Sequence, residues 1–598
     1  MMFHMFTAPA RAAAGGNPLL TASGATVRPA RRRGLWPGLW VAAFLWLAGA
    51  AGLPAATYYV ATTGNDLWSG RMPEAGNHLD GPFLTLHRAA LAMQPGDVTF
   101  VRGGFYNCTN YDCQYFDPVA DGVTLSNYPH EYPLFANQQG IPELLSVYGR
   151  QGVRICGINA TNCQRTAGYR AATNCELAYC DLGHSDPWFA INGMVQFVGN
   201  SVSNHIHDNY LHDSHHDYVA VPQADKGTPL LLGNSESNPA DFTGYNLVER
   251  NTLYHGGHDV LQIQSNCNII RSNWLHNEPW VYWPEYGQLG GHRCLDVEPR
   301  AMGNVIEFNE MRYAGQALAN PSGNGIEICG ASNLVRFNAV LWSQQYGLLL
   351  YGNKDGTGAT DPRCDGNHVY NNTLAWNCLG QLHLTNLVTA VTKEYDFRKV
   401  AVQVNYGTNN VFVNNLLAYN GAVGDPTSVS NRVLFLKCGV ADNHWLAQWT
   451  NSSNGDPRFE RTGTHRVTLA HGPASVLDPH SVVVTNSPSE APFATLDVRL
   501  RPDSPCLGTG AYLTWITSPS GIGTVIQVAD AAFFSDGYGM VAGDVVELAD
   551  SRRRARVLRA DYEHNRLYLS TRVAWTNGQP LSLSFSGRGP NFGAYGTP

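Results

Sequence analysis

Asp296 and Glu327 stand 31 residues apart, and each is the centre of an aliphatic triplet, Leu295-Asp296-Val297 and Ile326-Glu327-Ile328. Two carboxylates held about 5–5.5 Å apart serve as nucleophile and acid/base when a glycosidic bond is cleaved with retention, and a wider pair leaves room for water and inversion. Close like charges push one of the two pKa values up, which the acid role requires. The same oxygens suit a hard divalent cation, and a solvated acidic pair is the purely structural alternative.

Other polar groups cluster around this pair in the sequence. His258 and Asp259 precede Gln262, and His292 and Arg293 precede Asp296. The segments GGHDVLQIQ and GGHRCLDVE share Gly-Gly-His, which predicts that His258 and His292 lie near one another on one edge. Histidines there bind sugar hydroxyls or move a proton, or they are turn residues bonded to backbone. The loop Trp280-Val-Tyr282-Trp283-Pro-Glu285-Tyr286 comes just before His292. Its Trp280 and Trp283 offer flat apolar faces to a sugar ring, or simply pack the loop.

The elements that would position these groups are set by a recurring phrase: Asn, any residue, Ile/Val/Phe, two residues, Asn. Its closing asparagines fall at 209, 251, 273, 309, 338, 372 and 415, so the intervals are 42, 22, 36, 29, 34 and 43. A variable period with a floor near 22 describes coils carrying loops of different length. Repeats of this size mean a solenoid. The runs between phrases alternate apolar and polar residues, as strands do. Asn tolerates left-handed backbone angles at bends, and stacked amides bond one another in ladders. The expected fold is therefore all-β, a parallel solenoid.

Counting back from each phrase aligns the preceding strands. Gln262, Asp296, Glu327, Leu349 and His383 form one outward column. Gln264, Glu298, Cys329, Tyr351 and Thr385 form a second. Neighbouring coils lie at roughly strand spacing, about 4.8 Å. Asp296 and Glu327 are then adjacent on a solvent-facing sheet, with His258, Asp259, Gln262, His292, Arg293, His383, Trp280 and Trp283 as substrate contacts.

The chain has 598 residues, 14% charged side chains and a net charge of −8, so it lacks the basic footprint of a nucleic-acid binder. Arg31-Arg32-Arg33, an apolar stretch from Leu35 to Leu53 and Pro54-Ala55-Ala56 follow the layout of a secretory signal. Residues 1–56 are expected to be a signal peptide or membrane anchor, with a secreted, periplasmic or cell-surface protein and no membrane span after cleavage. A monomer is expected. Export permits disulfides, and the close pairs Cys108/Cys113, Cys156/Cys163 and Cys175/Cys180 are the candidates among 13 cysteines. The cysteines scattered through the repeats suit buried fillers.

Tyr58-Tyr-Val60 reads as a first strand, Pro82 to Met93 as a short amphipathic helix and Val98 to Val101 as a second strand. Residues 512–587 differ in texture, with strands at 543–548, 554–559 and 566–570 of a small β-rich insertion. The order YYVATTGND…GPFLTLHRAALAMQPGDVTFVRGGFY resembles the N-terminal cap of secreted right-handed parallel β-helix proteins of the pectate-lyase-like group. Asp503-Ser-Pro505-Cys-Leu-Gly508 and Pro590-Asn-Phe-Gly593-Ala-Tyr595 resemble the segments that close such domains.

The resemblance implies a β-helix with its cap over residues 57–510, an insertion and closing strand over 511–598, and a polysaccharide substrate. It implies either a glycoside hydrolase or a polysaccharide lyase. The sequence favours the hydrolase, with Asp296 and Glu327 as the catalytic carboxylates and no cofactor. The segment Asn324-Gly-Ile-Glu327-Ile resembles a strand of several β-helix lyases in which the matching Glu holds calcium. The lyase alternative therefore gives Asp296, Glu298 and Glu327 to calcium, with Arg293 neutralising the uronate carboxylate or taking the C5 proton, and Lys354 or a histidine as the other candidate base. A non-catalytic carbohydrate-binding or surface solenoid is the third reading.

Overall fold

The computed structural model describes residues 55–595, apart from connecting segments of which the longest are 186–192, 215–226, 234–241, 277–292, 315–322, 353–363, 379–399, 421–430, 462–467, 472–481 and 486–496, and some shorter stretches. Within 277–292 only the backbone of the hairpin strands Tyr282–Trp283 and Gln288–Leu289 is described. Residues 1–54 of the expected signal segment and Cys113 lie outside the described residues. No helix among the described residues is long and apolar enough to cross a membrane.

Three long parallel sheets of thirteen, twelve and ten strands run side by side along the chain. One coil shows the plan. Asp259–Ile263 lies in the ten-stranded sheet, Ile269–Arg271 in the thirteen-stranded sheet and Trp274–His276 in the twelve-stranded sheet. The chain then returns to the ten-stranded sheet at Arg293–Val297, paired in parallel with Asp259–Ile263. This is a parallel β-helix, and parallel crossovers take the right-handed sense in nearly all proteins. Alternate residues of each strand fill the interior. Leu261, Ile270, Leu275, Leu295, Ile306 and Met311 are fully buried in one continuous core.

The asparagines of the phrase stack in two ladders. Asn204, Asn246, Asn268, Asn304, Asn333, Asn367, Asn410 and Asn443 are joined by amide-to-amide hydrogen bonds of 2.9–3.1 Å. The closing asparagines, Asn209 to Asn415, are joined likewise and end on Gln448. Each Oδ1 also accepts the backbone N–H of the preceding rung, as Asn309 Oδ1 does from Asn273.

The left-handed backbone is not at these asparagines, as their type suggested. It is at the residue before each of them: Asp208, Arg250, Ser272, Phe308, Phe337, Asn371 and Asn414 before the closing Asn, with φ of 52–56°. The Asn itself keeps ordinary angles because its amide must point along the stack.

The N-terminal helix covers Leu86–Ala92, shorter than the expected 82–93. Phe83 pairs with the first strand, Thr57–Val60, instead. Thr85 caps the helix, its hydroxyl accepting from Arg88 N–H at 3.1 Å. Leu86, Ala89 and Ala90 turn inward and close the first coil.

The insertion is a six-stranded antiparallel sheet built from Thr514–Trp515, Gly521–Gln527, Val545–Leu548, Arg554–Asp561, Arg566–Trp575 and Pro580–Leu583. Its Ile516, Phe533, Phe534 and Leu548 share a second core with the outward-facing Leu247, Ile269, Val305 and Leu334 of the thirteen-stranded sheet. Arg336 is clamped between Glu307 and Asp544, with Nη1 2.7 Å from Asp544 Oδ2 and Nη2 2.6 Å from Glu307 Oε2. The chain then returns to the solenoid, where Asn371 Nδ2 donates to Asn591 O at 2.6 Å.

Cys156, Cys163, Cys175 and Cys180 form no disulfide among the described residues, which corrects the expected bridges 156/163 and 175/180. Strand Glu176–Ala178 separates Cys175 from Cys180, and Asn159–Thr161 separates Cys156 from Cys163. An intervening extended strand holds the Cα atoms beyond the roughly 7 Å that a disulfide spans.

Candidate functional site

The outer face of the ten-stranded sheet carries the acidic pair. Gln262 pairs in register with Asp296, Asp296 with Glu327, and Glu327 with Leu349. The next residue of the column is Gln403, in place of the expected His383. His383 and Thr385 lie outside the described residues, as do His292, Trp280 and the side chain of Trp283. In the second column Tyr351 pairs with Asn405.

Asp296 and Glu327 are not exposed as the alternation suggested; they are 1% and 4% accessible. Oxygens of the two carboxylates and the Cys329 thiol all lie within 4.8 Å of one another. Between them runs Arg293, itself buried. Its Nε donates to Glu327 Oε2 at 2.6 Å, and its Nη1 reaches Asp259 Oδ1 at 3.1 Å and Asp296 Oδ2 at 3.3 Å. Asn324 Nδ2 donates to the same Glu327 oxygen at 2.9 Å. Gln262 Nε2 donates to Glu298 Oε1 at 2.9 Å. His258 Nδ1 is 2.6 Å from Asp259 Oδ2, with about a third of the imidazole exposed.

The charges do not balance. Among the described residues, the four carboxyl groups of Asp259, Asp296, Glu298 and Glu327 face the Arg293 guanidinium and the His258 imidazole, and a buried charge is costly unless paired. Burial lifts the Asp296 carboxyl well above the ordinary carboxylate range; Arg293 pulls it back, while Glu298, Asp259 and Glu327 push it further up. Burial works against the Arg293 cation, but Asp296, Glu327 and Asp259 together hold it firmly protonated. Burial works against protonation of His258 too, and the Asp259 carboxylate outweighs it, so this imidazole is protonated more readily than a free one. Burial and the surrounding carboxylates raise the Cys329 thiol far up, so it is no thiolate nucleophile.

One atom stands out. Asp296 Oδ1 is buried and accepts no hydrogen bond from any described residue. Buried carboxylate oxygens are nearly always satisfied. A site with an orphaned carboxylate oxygen, a second carboxylate beside it and excess negative charge fits a bound cation. Oxygen donors of this kind suit a hard ion such as calcium.

The same face extends to Gln196 and Gly168, which the sequence reading did not follow upstream. Gly168 leaves room for the Glu143 carboxylate above it. Glu143 pairs with Arg165 at 3.0 Å and Arg170 at 2.7 Å, and the Arg170 side chain is 42% exposed. Continuing the column upstream by the same alternation would have reached Gln196.

No protein-family model matches the chain, and no curated protein matches it. Among solved structures the chain is similar to pectate lyase Pel9A at 12% identity, over 79% of this chain and 95% of that one, with a TM-score of 0.43. It is similar to XylC, solved in complex with xylose, at 11% identity over 88% and 100% of the two chains, with a TM-score of 0.40. It is similar to an alginate lyase of the PL6 family at 14% identity over 71% and 60%, with a TM-score of 0.38.

Proposed function

We propose that this parallel β-helix is a carbohydrate-active enzyme that cleaves an acidic polysaccharide by calcium-assisted β-elimination on the outer face of the ten-stranded sheet. The observation that carries the reading is the Asp296 Oδ1 that accepts no hydrogen bond from the described residues, beside Glu327 in a cluster whose donor atoms lie close enough to share one ion. Asp296, Glu327 and Glu298 are the residues that would hold the ion. Bound there, calcium would neutralise the uronate carboxylate and so make the C5 proton more acidic.

The residues of the chain divide the remaining work. Arg293 is committed to three carboxylates and buried, so it is not free to meet a substrate carboxylate; it holds Asp259, Asp296 and Glu327 in place. Gln262 orients Glu298. We assign proton abstraction to Lys354, which follows the strand Leu348–Tyr351 one coil beyond Glu327 and lies outside the described residues. Its amine takes the C5 proton, the C5–H electrons form the C4=C5 double bond, and the C4–O bond breaks. His258, partly exposed and readily protonated, donates a proton to the leaving oxygen. Arg165 and Arg170, farther along the same face, favour a polyanionic chain.

The hydrolase reading keeps one supporting observation, the raised Asp296 carboxyl, which suits a general acid. Against it, Glu327 has one oxygen occupied by both Arg293 and Asn324, a poor setting for a nucleophile. The test is incubation with a panel of uronic acid polymers, with calcium or with a chelator. Ultraviolet absorbance from an unsaturated uronate, dependent on calcium, is expected. New reducing ends without that absorbance would establish the hydrolase instead.

A further inference from the structure

A second constellation lies on the twelve-stranded sheet, away from the sheet that carries Asp296. Strands Asp181–Gly183 and Tyr210–His212 pair in register, so Gly183 faces His212 on the next coil. The imidazole of His212 occupies the space that a Cβ at Gly183 would need. Just past these strands, His184 and Asp213 take the same turn position on successive coils, both in the left-handed region at φ 50° and 48°. The turn aims both side chains at one point: His184 Nε2 is 3.7 Å from Asp213 Oδ2, and His212 Nδ1 is 2.7 Å from that same oxygen. All three donor atoms lie within 4.8 Å of one another.

The outer partners set the tautomer. His212 Nε2 lies 2.9 Å from Asp181 Oδ1, and Tyr132 donates its hydroxyl to Asp181 Oδ2 at 3.1 Å. Both ring nitrogens face carboxylates, which only accept, so without an ion the ring carries a hydrogen on each; an ion that displaces the Nδ1 hydrogen leaves Nε2–H on Asp181 and frees the Nδ1 lone pair to bind it. The position between Nδ1 and Asp213 Oδ2 therefore takes a cation, either a proton or a metal ion. A proton would serve His212 and Asp213 alone. A metal ion would also use His184.

A metal-bound histidine whose other nitrogen donates to a carboxylate is the usual outer-shell arrangement of zinc sites. Tetrahedral zinc holds its donors about 3.3–3.5 Å apart given bonds of roughly 2.0–2.1 Å to nitrogen. The 2.7 and 3.7 Å separations to Asp213 Oδ2 need adjustments of less than about one ångström to reach that geometry.

We propose that His184, His212 and Asp213 form a zinc(II) site that ties two successive coils together, with Asp181 and Tyr132 as its supporting partners. Two imidazoles and one carboxylate match the donor preference of zinc and not that of calcium. The site is independent of the chemistry assigned to the Asp296 face.

The experiment is equilibrium dialysis of the purified full chain against zinc chloride, followed by metal analysis and thermal unfolding. One equivalent of zinc and a raised unfolding midpoint are expected, because a ligand that binds only the folded state stabilises it. His184→Ala, at a side chain 26% exposed, and Asp213→Asn should both lose the zinc and the thermal shift. A Glu327→Gln, Cys329→Ser double variant, which dismantles the other cluster, should keep both. Failure of the wild-type chain to retain zinc, or retention by His184→Ala, overturns the proposal. Loss of zinc only in the double variant also overturns it, since the ion would then belong to the Asp296 face.

Discussion

Arg293 Nε lies 2.6 Å from Glu327 Oε2, one coil away, and this bond fixes the geometry of the whole acidic face. The guanidinium is the only charge partner of Glu327 among the described residues, and it is shared with Asp259 and Asp296.

Removing that cation should therefore cost stability before it costs anything else. Arg293→Ala strands buried carboxylates without a partner, a loss of about 3–5 kcal/mol. A lowered thermal midpoint checks this, and calcium in the buffer should recover part of the loss. Glu327→Gln and Asp296→Asn should instead fold normally by circular dichroism. Each should lower turnover on the responsive polymer by about 100-fold or more, as loss of a group acting in the reaction does.

The asparagine ladder predicts a graded series. Asn309→Ala takes the side-chain partner from Asn273 N–H and from Ile270 O, and leaves the Asn273 amide only its bond to Val248 O, deep in the stack. At about 1–3 kcal/mol for each buried polar group left unpaired, the loss should reach about 3 kcal/mol or more. Gln448→Ala, at the partly exposed end of the same ladder, should cost about 1 kcal/mol. Denaturant midpoints of the two variants compare them directly.

The insertion is held to the solenoid through Arg336. Asp544→Ala removes one of its two carboxylate clamps, both of which engage two guanidinium nitrogens. A buried pair broken from one side loses about 3–5 kcal/mol. Limited proteolysis should then cut within 512–587 before it cuts the coils, whereas wild-type protein should resist at both.

His276 supplies a pH signature. Burial, and then the nearby Arg312 cation, lower its pKa to about 3. Above the ordinary histidine range the folded and unfolded forms are both neutral and the group has no effect. As pH falls, the unfolded chain takes up a proton that the folded chain refuses, so stability drops by about 1.4 kcal/mol per unit until the folded group titrates near 3. The midpoint of wild-type protein should fall more steeply with acid than that of His276→Gln.

Much of this architecture is readable from residue order. The Asn phrase marks one corner of every coil, and apolar triplets locate the strand that precedes it, so the pairing of Gln262, Asp296, Glu327 and Leu349 follows by counting. The count failed at the next coil, because Leu382-His383-Leu384 has the same aliphatic-polar-aliphatic pattern as the strand Val402–Asn405 that actually pairs. Alternation also identifies only which way a side chain points, not what lies over it, so burial of Asp296 was not legible. Nor was the role of Arg293 as hub: it sits three positions before Asp296, and only the register across coils brings it to Glu327 and Asp259.

The corner between the thirteen- and twelve-stranded sheets keeps the same span in coil after coil, from Asp208-Asn209 to Asn414-Asn415, while the other connections vary in length. Growth of this molecule along its axis is thus quantised, since a coil either supplies its rung or breaks the stack. Growth sideways is free. Duplication of a minimal unit such as Arg250 to Arg271 should lengthen the protein without retuning its neighbours, whereas surface novelty enters by lengthening loops at the other two corners. The result is a scaffold in which gain of reach and gain of recognition are separate mutational events.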